Sequence, residues 1–405
     1  MTSYFIAFIK NYFSNYSGLS KPCWQGIALN FIEALCSGVF FFLSIYLVDI
    51  LHISILTATT IIACYGIGAI FGGFFGGKLS DKWTPSRVSS GSLLILAVAY
   101  LSLIQFKTVY LLMVVIFIIG IATYSFLTSN HVGILNQCSN STERLKALSI
   151  ITTVSNLGIS LAAVMVGVFS HYGFQYIFFI SSVFFFLSSS YLLLQQRKNK
   201  ISTATLQGNN PDSLRKSNTI NSTKITWLVL TCVLLAGIVI AQTSSTYSIF
   251  IRQTFPHLGI KAVSILFILN SLLIVFCQTP LVNLFSKYNK VLAVGIGAFL
   301  IGIGMSILGF ASTFSLAILS CIIYTLGEMV FFSMAQLVCY QSSDEKKKGL
   351  SLGLFRTFYA TSRVIGPAIG GEIYYHFGGN MVWYFSGLLG VVCLGGCIYY
   401  YKEAS

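Results

Sequence analysis

A chain of 405 residues in which 56% of side chains are hydrophobic and only 8% charged cannot fold as a water-soluble domain, because that much apolar surface needs lipid around it. The formal charge of +14 would point to nucleic acid in a soluble protein, but no basic stripe is interleaved with a reading motif, which excludes that class. The ten cysteines form no C-x-x-C pair, and Cys393 and Cys397, one helical turn apart, have no third ligand nearby, so neither a metal nor a cofactor is expected.

In chain order, residues 1–20 carry Tyr4, Phe5, Phe8, Tyr12, Phe13 and Tyr16 with a single lysine. They read as an interfacial segment and lack the basic start and cleavage site of a signal peptide. Twelve apolar runs follow, each near the ~20 residues that cross a bilayer as a helix. They lie near 24–49, 54–77, 87–106, 109–135, 147–170 and 174–195, then 225–251, 262–285, 290–310, 313–340, 349–374 and 380–401. None alternates polar with apolar residues as barrel strands do, so the expected fold is an all-α membrane protein with twelve transmembrane helices.

Polar and basic residues replace the apolar pattern between Gln195 and Lys224, which predicts a linker over 196–224 between a six-helix bundle at 21–195 and another at 225–405. When twelve spans are threaded, the loop lysines and arginines fall on one side apart from Lys107, Arg252 and Lys261. Positive-inside bias then puts both termini in the cytoplasm of a bacterial inner-membrane, multi-pass protein. Landmarks recur at a near-constant offset: Trp24 to Trp227 and Arg87 to Lys290 are 203 residues apart, and Arg144 to Lys348 is 204. That offset marks a parallel repeat of two halves.

Between spans 2 and 3 lies Gly77-Lys78-Leu79-Ser80-Asp81-Lys82-Trp83-Thr84-Pro85-Ser86-Arg87. Its G-x-L-S-D-K/R-x-x-P-x-R pattern resembles the corresponding loop of the major facilitator superfamily of secondary transporters. Ser141-Thr142-Glu143-Arg144-Leu145-Lys146-Ala147 is similar to the family's P-E-x-R-G-x-A segment before span 5, with Asp344 to Ser351 as its second-half version. Gly366-Pro367-Ala368-Ile369-Gly370-Gly371 in span 11 is a helix-packing motif that the family's drug exporters carry in span 5, where this chain has Ala162-Ala163 and Val166-Gly167. The resemblance, strongest to the drug:proton antiporter-like branch, implies two pseudo-symmetric halves with a substrate cavity between them. By the same resemblance Gly77 permits close helix approach, Asp81 latches the halves, and Arg87, Glu143 and Arg144 complete a charge network. Gly68, Gly72 and Gly76 repeat every fourth position and read as a face on which span 2 slides against a neighbour.

Ionisable residues inside spans are costly and mark function. Glu33 in span 1, Glu328 in span 10 and, secondarily, His131 in span 4 are the candidate proton carriers. Arg356 and Arg363 share a face of span 11, and Arg363 comes out at the depth of Glu328, so these two either pair or remain free for substrate. Asn30, Ser37, Tyr124, Gln242, Ser245, Tyr247 and Tyr324 are polar positions on cavity helices and, with both arginines, candidate substrate contacts.

No P-loop, zinc spacing or nucleophile elbow occurs, so neither an enzyme nor an ATP-driven pump is expected. The expected function is secondary active transport of a small molecule by alternating access, as proton-coupled efflux. Proton-coupled uptake of an amino acid, nucleoside or sugar is the alternative, and a non-transporting receptor or assembly subunit a remote one. Expected partners are the substrate, protons and the bilayer, with the chain a monomer.

Overall fold

The computed structural model describes residues 18–43, 46–169, 173–204, 219–258 and 260–404; of the interfacial segment expected at 1–20, all but residues 18–20 lies outside them. The first half is built from α1 (Lys21–Ser37), α2 (Ile55–Lys82), α3 (Pro85–Gln105), α4 (Val109–Asn136), α5 (Ser141–Phe169) and α6 (Phe174–Ala204). The second half repeats the pattern with α7 (Thr219–Ala241), α8 (Ile260–Phe285), α9 (Lys290–Ile307), α10 (Phe314–Gln341), α11 (Lys348–Phe377) and α12 (Gly379–Ala404). Among the described residues there is no strand. Eleven helices among the described residues are long and apolar enough to cross a membrane. The exception, α11, has the length but carries Arg356 and Arg363.

Helix starts follow from local chemistry. Ser20 accepts from the Cys23 amide ahead of Pro22 in α1, Pro85 opens α3, and Asn289 Oδ1 accepts from the Val291 and Leu292 amides at 3.0 and 3.2 Å. These side chains satisfy or remove donors that a helix N-terminus leaves unpaired.

Two spans expected to be continuous are broken. The run at 24–49 is helical only to Ser37, then passes into a 3₁₀ turn at Gly38–Phe42 and a π turn at Tyr46–Ile50. The run at 225–251 stops at Ala241, makes a 3₁₀ turn at Gln242–Ser244 and resumes as a short helix over Thr246–Thr254. The breaks fall at matching places in the repeat. In the second, consecutive polar side chains turn back onto the chain: Thr243 donates to the Ile240 carbonyl at 2.7 Å and Ser244 to the Ala241 carbonyl at 2.8 Å, competing with the helical ladder. The boundaries expected for the linker also shift, because α6 continues to Ala204 and α7 begins at Thr219, polar residues prolonging helices whose apolar part has ended.

Within the first half α2 and α3 pack on α4, α3 on α6 and α1 on α5; within the second, α10 and α12 pack on α9, α11 on α7 and α8 on α10. Each half has its own apolar core, and the ends of α4 and α5 join the second-half core through Val132, Leu135, Leu145 and Leu148. Val98, Val164, Phe186 and Val391, each more than half exposed, belong to an apolar outer surface suited to lipid. The glycine face of α2 needs correcting: a Cβ at Gly68, Gly72 or Gly76 would strike the backbone of Phe117, Ile121 or Ser125 in α4. This face therefore locks α2 inside its own half, and no sliding surface is formed there.

Candidate functional site

The halves meet along two seams, α2 with α11 and α5 with α8, and the polar bonds that join them concentrate toward the end of the bundle carrying the basic loops. At that end α11 begins with amides that its own turn cannot pair. Asp81, at the end of α2, pairs two of them: its carboxylate accepts from Gly349 N at 2.6 Å and Leu350 N at 2.7 Å, a charge-assisted cap supplied by the opposite half. Close approach is what permits it. A Cβ on Gly77 would lie 2.9 Å from Gly353 Cα, and one on Gly349 would lie 2.5 Å from Gly77 O and 2.7 Å from Asp81 Oδ1.

Beside this contact, Tyr340 of α10 donates to Asn136 Oδ1 of α4 at 2.5 Å. Arg144 and Lys348 approach the Tyr340 ring, 5.2 and 4.7 Å from its centroid, within cation–π range. The expected charge network does not form. Glu143 spends its carboxylate on Ser139 N at 2.8 Å and Asn140 Nδ2 at 3.3 Å, Arg144 donates to the Cys138 carbonyl at 3.3 Å, and Arg87 is exposed beside a separate cavity of about 510 Å³ at the ends of α1, α3, α4 and α6. Ion pairs among the described residues are Asp344–Lys347, Glu345–Lys348 and Glu372–His376, so Arg87, Glu143 and Arg144 stay unlinked, Glu143 and Arg144 because each is used locally and Arg87 because it faces solvent.

One layer deeper, about 8 Å from the basic end by helical rise, the buried His131 ring bridges the halves. Its Nε2 lies 3.2 Å from Asn30 Oδ1 of α1, and its Nδ1 lies 3.0 Å from Gln336 Oε1 of α10. Asn30 is oriented by donating to Ser155 Oγ at 2.7 Å. Arg356 Nη2 sits 3.2 and 3.4 Å from the two ring nitrogens, which places the guanidinium over the ring face. Thr357 of α11 donates to the Ile70 carbonyl of α2 at 3.1 Å, and Ser149 of α5 to Thr279 of α8 at 3.2 Å.

Beyond this layer lies a polar cleft lined by both halves. Glu33, Glu328 and Arg363 come out at about 18, 20 and 22 Å from the basic end. Glu33 is buried, 4% exposed, while Glu328, Arg356, Arg363, Tyr65, Tyr124 and Tyr359 are half-buried. The question of a Glu328–Arg363 pair is answered: no ion pair forms between them, and Glu328 accepts from Asn270 Nδ2 at 3.4 Å. Arg363 lies against Tyr359 and within electrostatic reach of Tyr124 and Glu328, and Glu33 within reach of Arg356. Aromatic rings wall the cleft: Phe40 and Tyr65 are 4.3 Å apart, Tyr65 and Tyr124 6.3 Å, and Phe332 and Tyr359 5.0 Å.

Several expected cavity residues lie elsewhere. Gln242, 2% exposed, donates to the Ile238 carbonyl at 3.0 Å and the Gly366 carbonyl at 2.8 Å and accepts from Thr246 at 2.9 Å, holding the break in α7. Ser245 hydrogen-bonds within the same break. Tyr247 and Tyr324 are buried, Tyr247 packing edge-on to Trp383 at 6.0 Å. A regular helix through span 7 would have turned Gln242, Ser245 and Tyr247 toward a cavity, and the break removes that register. Ser37, one turn beyond Glu33 on α1, is half-buried beside the Glu33 carboxylate and the Tyr100 hydroxyl. In the motif of α11, Gly366 packs on α7 at Ala241 and Gly370 on Gln242, whereas Gly371 faces open space and Pro367 lies within the helix. Gly73, Gly349, Gly353, Asn136, Gln336, Tyr340 and Tyr359 were missed. Only the four-residue spacings Gly73–Gly77 and Gly349–Gly353 carried a signal in the sequence.

The sequence matches the model of the Major Facilitator Superfamily over residues 27–367 and again over 257–405. It is similar to the uncharacterized MFS-type transporter YqjV of Bacillus subtilis, 24% identical over 357 residues that cover 87% of this chain and 86% of that protein. YttB of the same organism, also an uncharacterized MFS-type transporter, is 24% identical over 58% of each chain. In structure the chain resembles the human organic anion transporter MFSD10, with a TM-score of 0.69 and 13% identity over 93% of this chain and 100% of that one. It also resembles a bacterial homologue of the iron transporter ferroportin in its outward-facing state, with a TM-score of 0.73 and 13% identity over 95% of this chain and 100% of that one.

Proposed function

This chain belongs to the major facilitator superfamily of transporters, and we propose that it moves a small molecule across the bacterial inner membrane by alternating access, coupled to protons through Glu33. Positive-inside bias supports a cytoplasmic basic end. On that orientation the Asp81 cap, the Tyr340 contacts and the His131 layer close the cytoplasmic side, the closure that an outward-facing state requires. Transport then requires those contacts to open while the halves close on the other side, with the cleft as the fixed binding site.

The observation that carries the coupling is Glu33, buried in the cleft with no ion-pair partner among the described residues. Holding a buried carboxylate ionised inside a membrane with no direct ion pair is costly, and taking up a proton removes that cost. Proton occupancy of Glu33 and the state of the halves are therefore thermodynamically linked.

Export by proton exchange is the direction that the resemblance to the drug:proton antiporter-like branch supports. Uptake together with a proton is a second reading, favoured by Arg356 and Arg363 in the cleft, which do not suit the cationic substrate that exchange with a proton would serve best. In proteoliposomes with an imposed pH gradient, wild-type protein concentrates solute, whereas Glu33→Gln keeps solute exchange but loses concentrative movement. Unchanged gradient-driven flux in Glu33→Gln removes this residue from the mechanism.

A further inference from the structure

We propose that the substrate is an organic anion with an aromatic or apolar body, bound through Arg363 with Arg356 behind it, and that it crosses together with one proton. The inference rests on the second reading above, movement of substrate together with a proton.

Arginine inside a membrane protein is either paired or functional. Neither cleft arginine forms an ion pair among the described residues. Arg356 has a structural use, since its guanidinium covers the His131 ring. Arg363 has none of comparable kind. It lies seven residues, or about 10 Å, further from the cytoplasmic end than Arg356, on the open side of the contacts that close the cleft. Around it are Tyr359, one turn earlier on the same helix, Tyr124 from α4 of the other half, and Glu328. A planar guanidinium presents a fork of donors matched to an oxyanion, and the two phenol side chains, one from each half, complete a site for one carboxylate. The ring wall from Phe40 through Tyr65 to Tyr124 gives the remainder of such a molecule an apolar surface.

Charge counting then fixes the coupling. The cleft holds two arginines and two glutamates, and with both carboxylates ionised its formal charge is zero. A proton moving from water onto the Glu33 carboxylate leaves an excess of +1, which a bound monoanion cancels. Proton and anion thus favour each other's binding, and the loaded site crosses at the charge of the empty one. Among the described residues Cys36, Tyr65, Tyr100 and Tyr124 also face Glu33, groups whose ordinary titration lies above the pH range of the test, and the ring of His131 is taken up by Asn30, Gln336 and Arg356. A cation would gain nothing from protonated Glu33 and would meet both arginines.

The test uses full-length purified protein and a matched panel of aromatic and aliphatic carboxylates, beginning with benzoate and phenylpropionate, each beside its neutral amide and corresponding amine. Binding is read by thermal shift and calorimetry between about pH 5.5 and 8. Carboxylates are expected to bind, more tightly at lower pH, and amides and amines not to. Loss of a cation that directly contacts a bound anion weakens binding about 10- to 100-fold, the result expected of Arg363→Gln. Arg363→Lys, which keeps charge without the fork, should retain part of the affinity and serves if the glutamine variant does not fold. Glu33→Gln, a fixed neutral side chain, should bind carboxylate with its pH dependence lost.

Binding of amines in preference to carboxylates, binding by no carboxylate of the panel, or undiminished binding by both Arg363 variants overturns the anion site. Gradient-driven flux of an amine would sink this inference and leave proton coupling intact. Carboxylate binding with the same pH dependence in wild type and Glu33→Gln would leave the anion site and remove the coupling.

Discussion

The two seams between the halves are counterparts in the repeat, since α8 corresponds to α2 and α5 to α11, yet they are built differently. Gly73 and Gly77 on α2 face Gly353 and Gly349 on α11; at the matching places, 203 or 204 residues away, the other seam has Phe276, Pro280, Ser149 and Leu145. Leu284 replaces Asp81 and is 59% exposed. The helix-terminus problem is common to both seams and is solved in opposite ways. Asn140 Oδ1 accepts from Glu143 N, and Glu143 Oε2 from Ser139 N, each at 2.8 Å, so the start of α5 is capped by its own loop. The start of α11 is capped by Asp81 from the other half. A local cap survives any rearrangement of the halves, whereas a cap in trans is lost when they part. Only the α2–α11 seam therefore makes helix capping depend on which side of the molecule is open.

The largest effect should come from filling that seam. Gly77→Leu places a side chain where a Cβ already meets the α11 backbone. Overpacking of this kind costs about 1–3 kcal/mol, here borne by the state in which the seam is closed. Spin-label distances across the cytoplasmic end should lengthen and transport fall to near background; a wild-type distance distribution would show that the seam tolerates bulk.

Removing the charge at Asp81 should act less severely. Asp81→Asn keeps one acceptor but sets an amide against the α11 donors, a loss of about 1–2 kcal/mol, and so shifts the equilibrium toward the inward-open state about 5- to 30-fold. The same labels measure the shift, and none at all would mean that the cap contributes nothing to closure. Smallest is Asn140→Ala in the other seam. It should cost about 1 kcal/mol of stability, as loss of an N-cap does, lowering the melting temperature while leaving the distance distribution unchanged. A shift comparable to that of Asp81→Asn would erase the contrast between the seams.

Much of the fold was legible because lipid as solvent imposes simple rules: apolar runs of spanning length, a polar linker, and basic residues on alternate loops. The site was legible where a residue is costly enough to need a reason, as with Glu33, Glu328, Arg356 and Arg363. It was not legible where polar residues can satisfy themselves locally. Gln242 and Ser245 looked like cavity residues and instead hold a break in α7, because amides and hydroxyls find backbone carbonyls wherever a helix is interrupted. Nor does the spacing of Gly68, Gly72 and Gly76 say which neighbour they meet; that neighbour is α4, in the same half.

By itself the sequence determined the solvent, the helices, the repeat and the positions at which charge lies inside the membrane, since each follows from composition or from spacing along one chain. Tertiary structure alone decided which partner each group has: that Asp81 caps α11, that Arg356 covers His131, and that Glu328 and Arg363, already placed at one depth, do not pair. The reason is physical. A helix fixes which residues share its face, but the neighbour on that face is chosen by packing among twelve helices, and a charged group takes its role from the neighbour it is given.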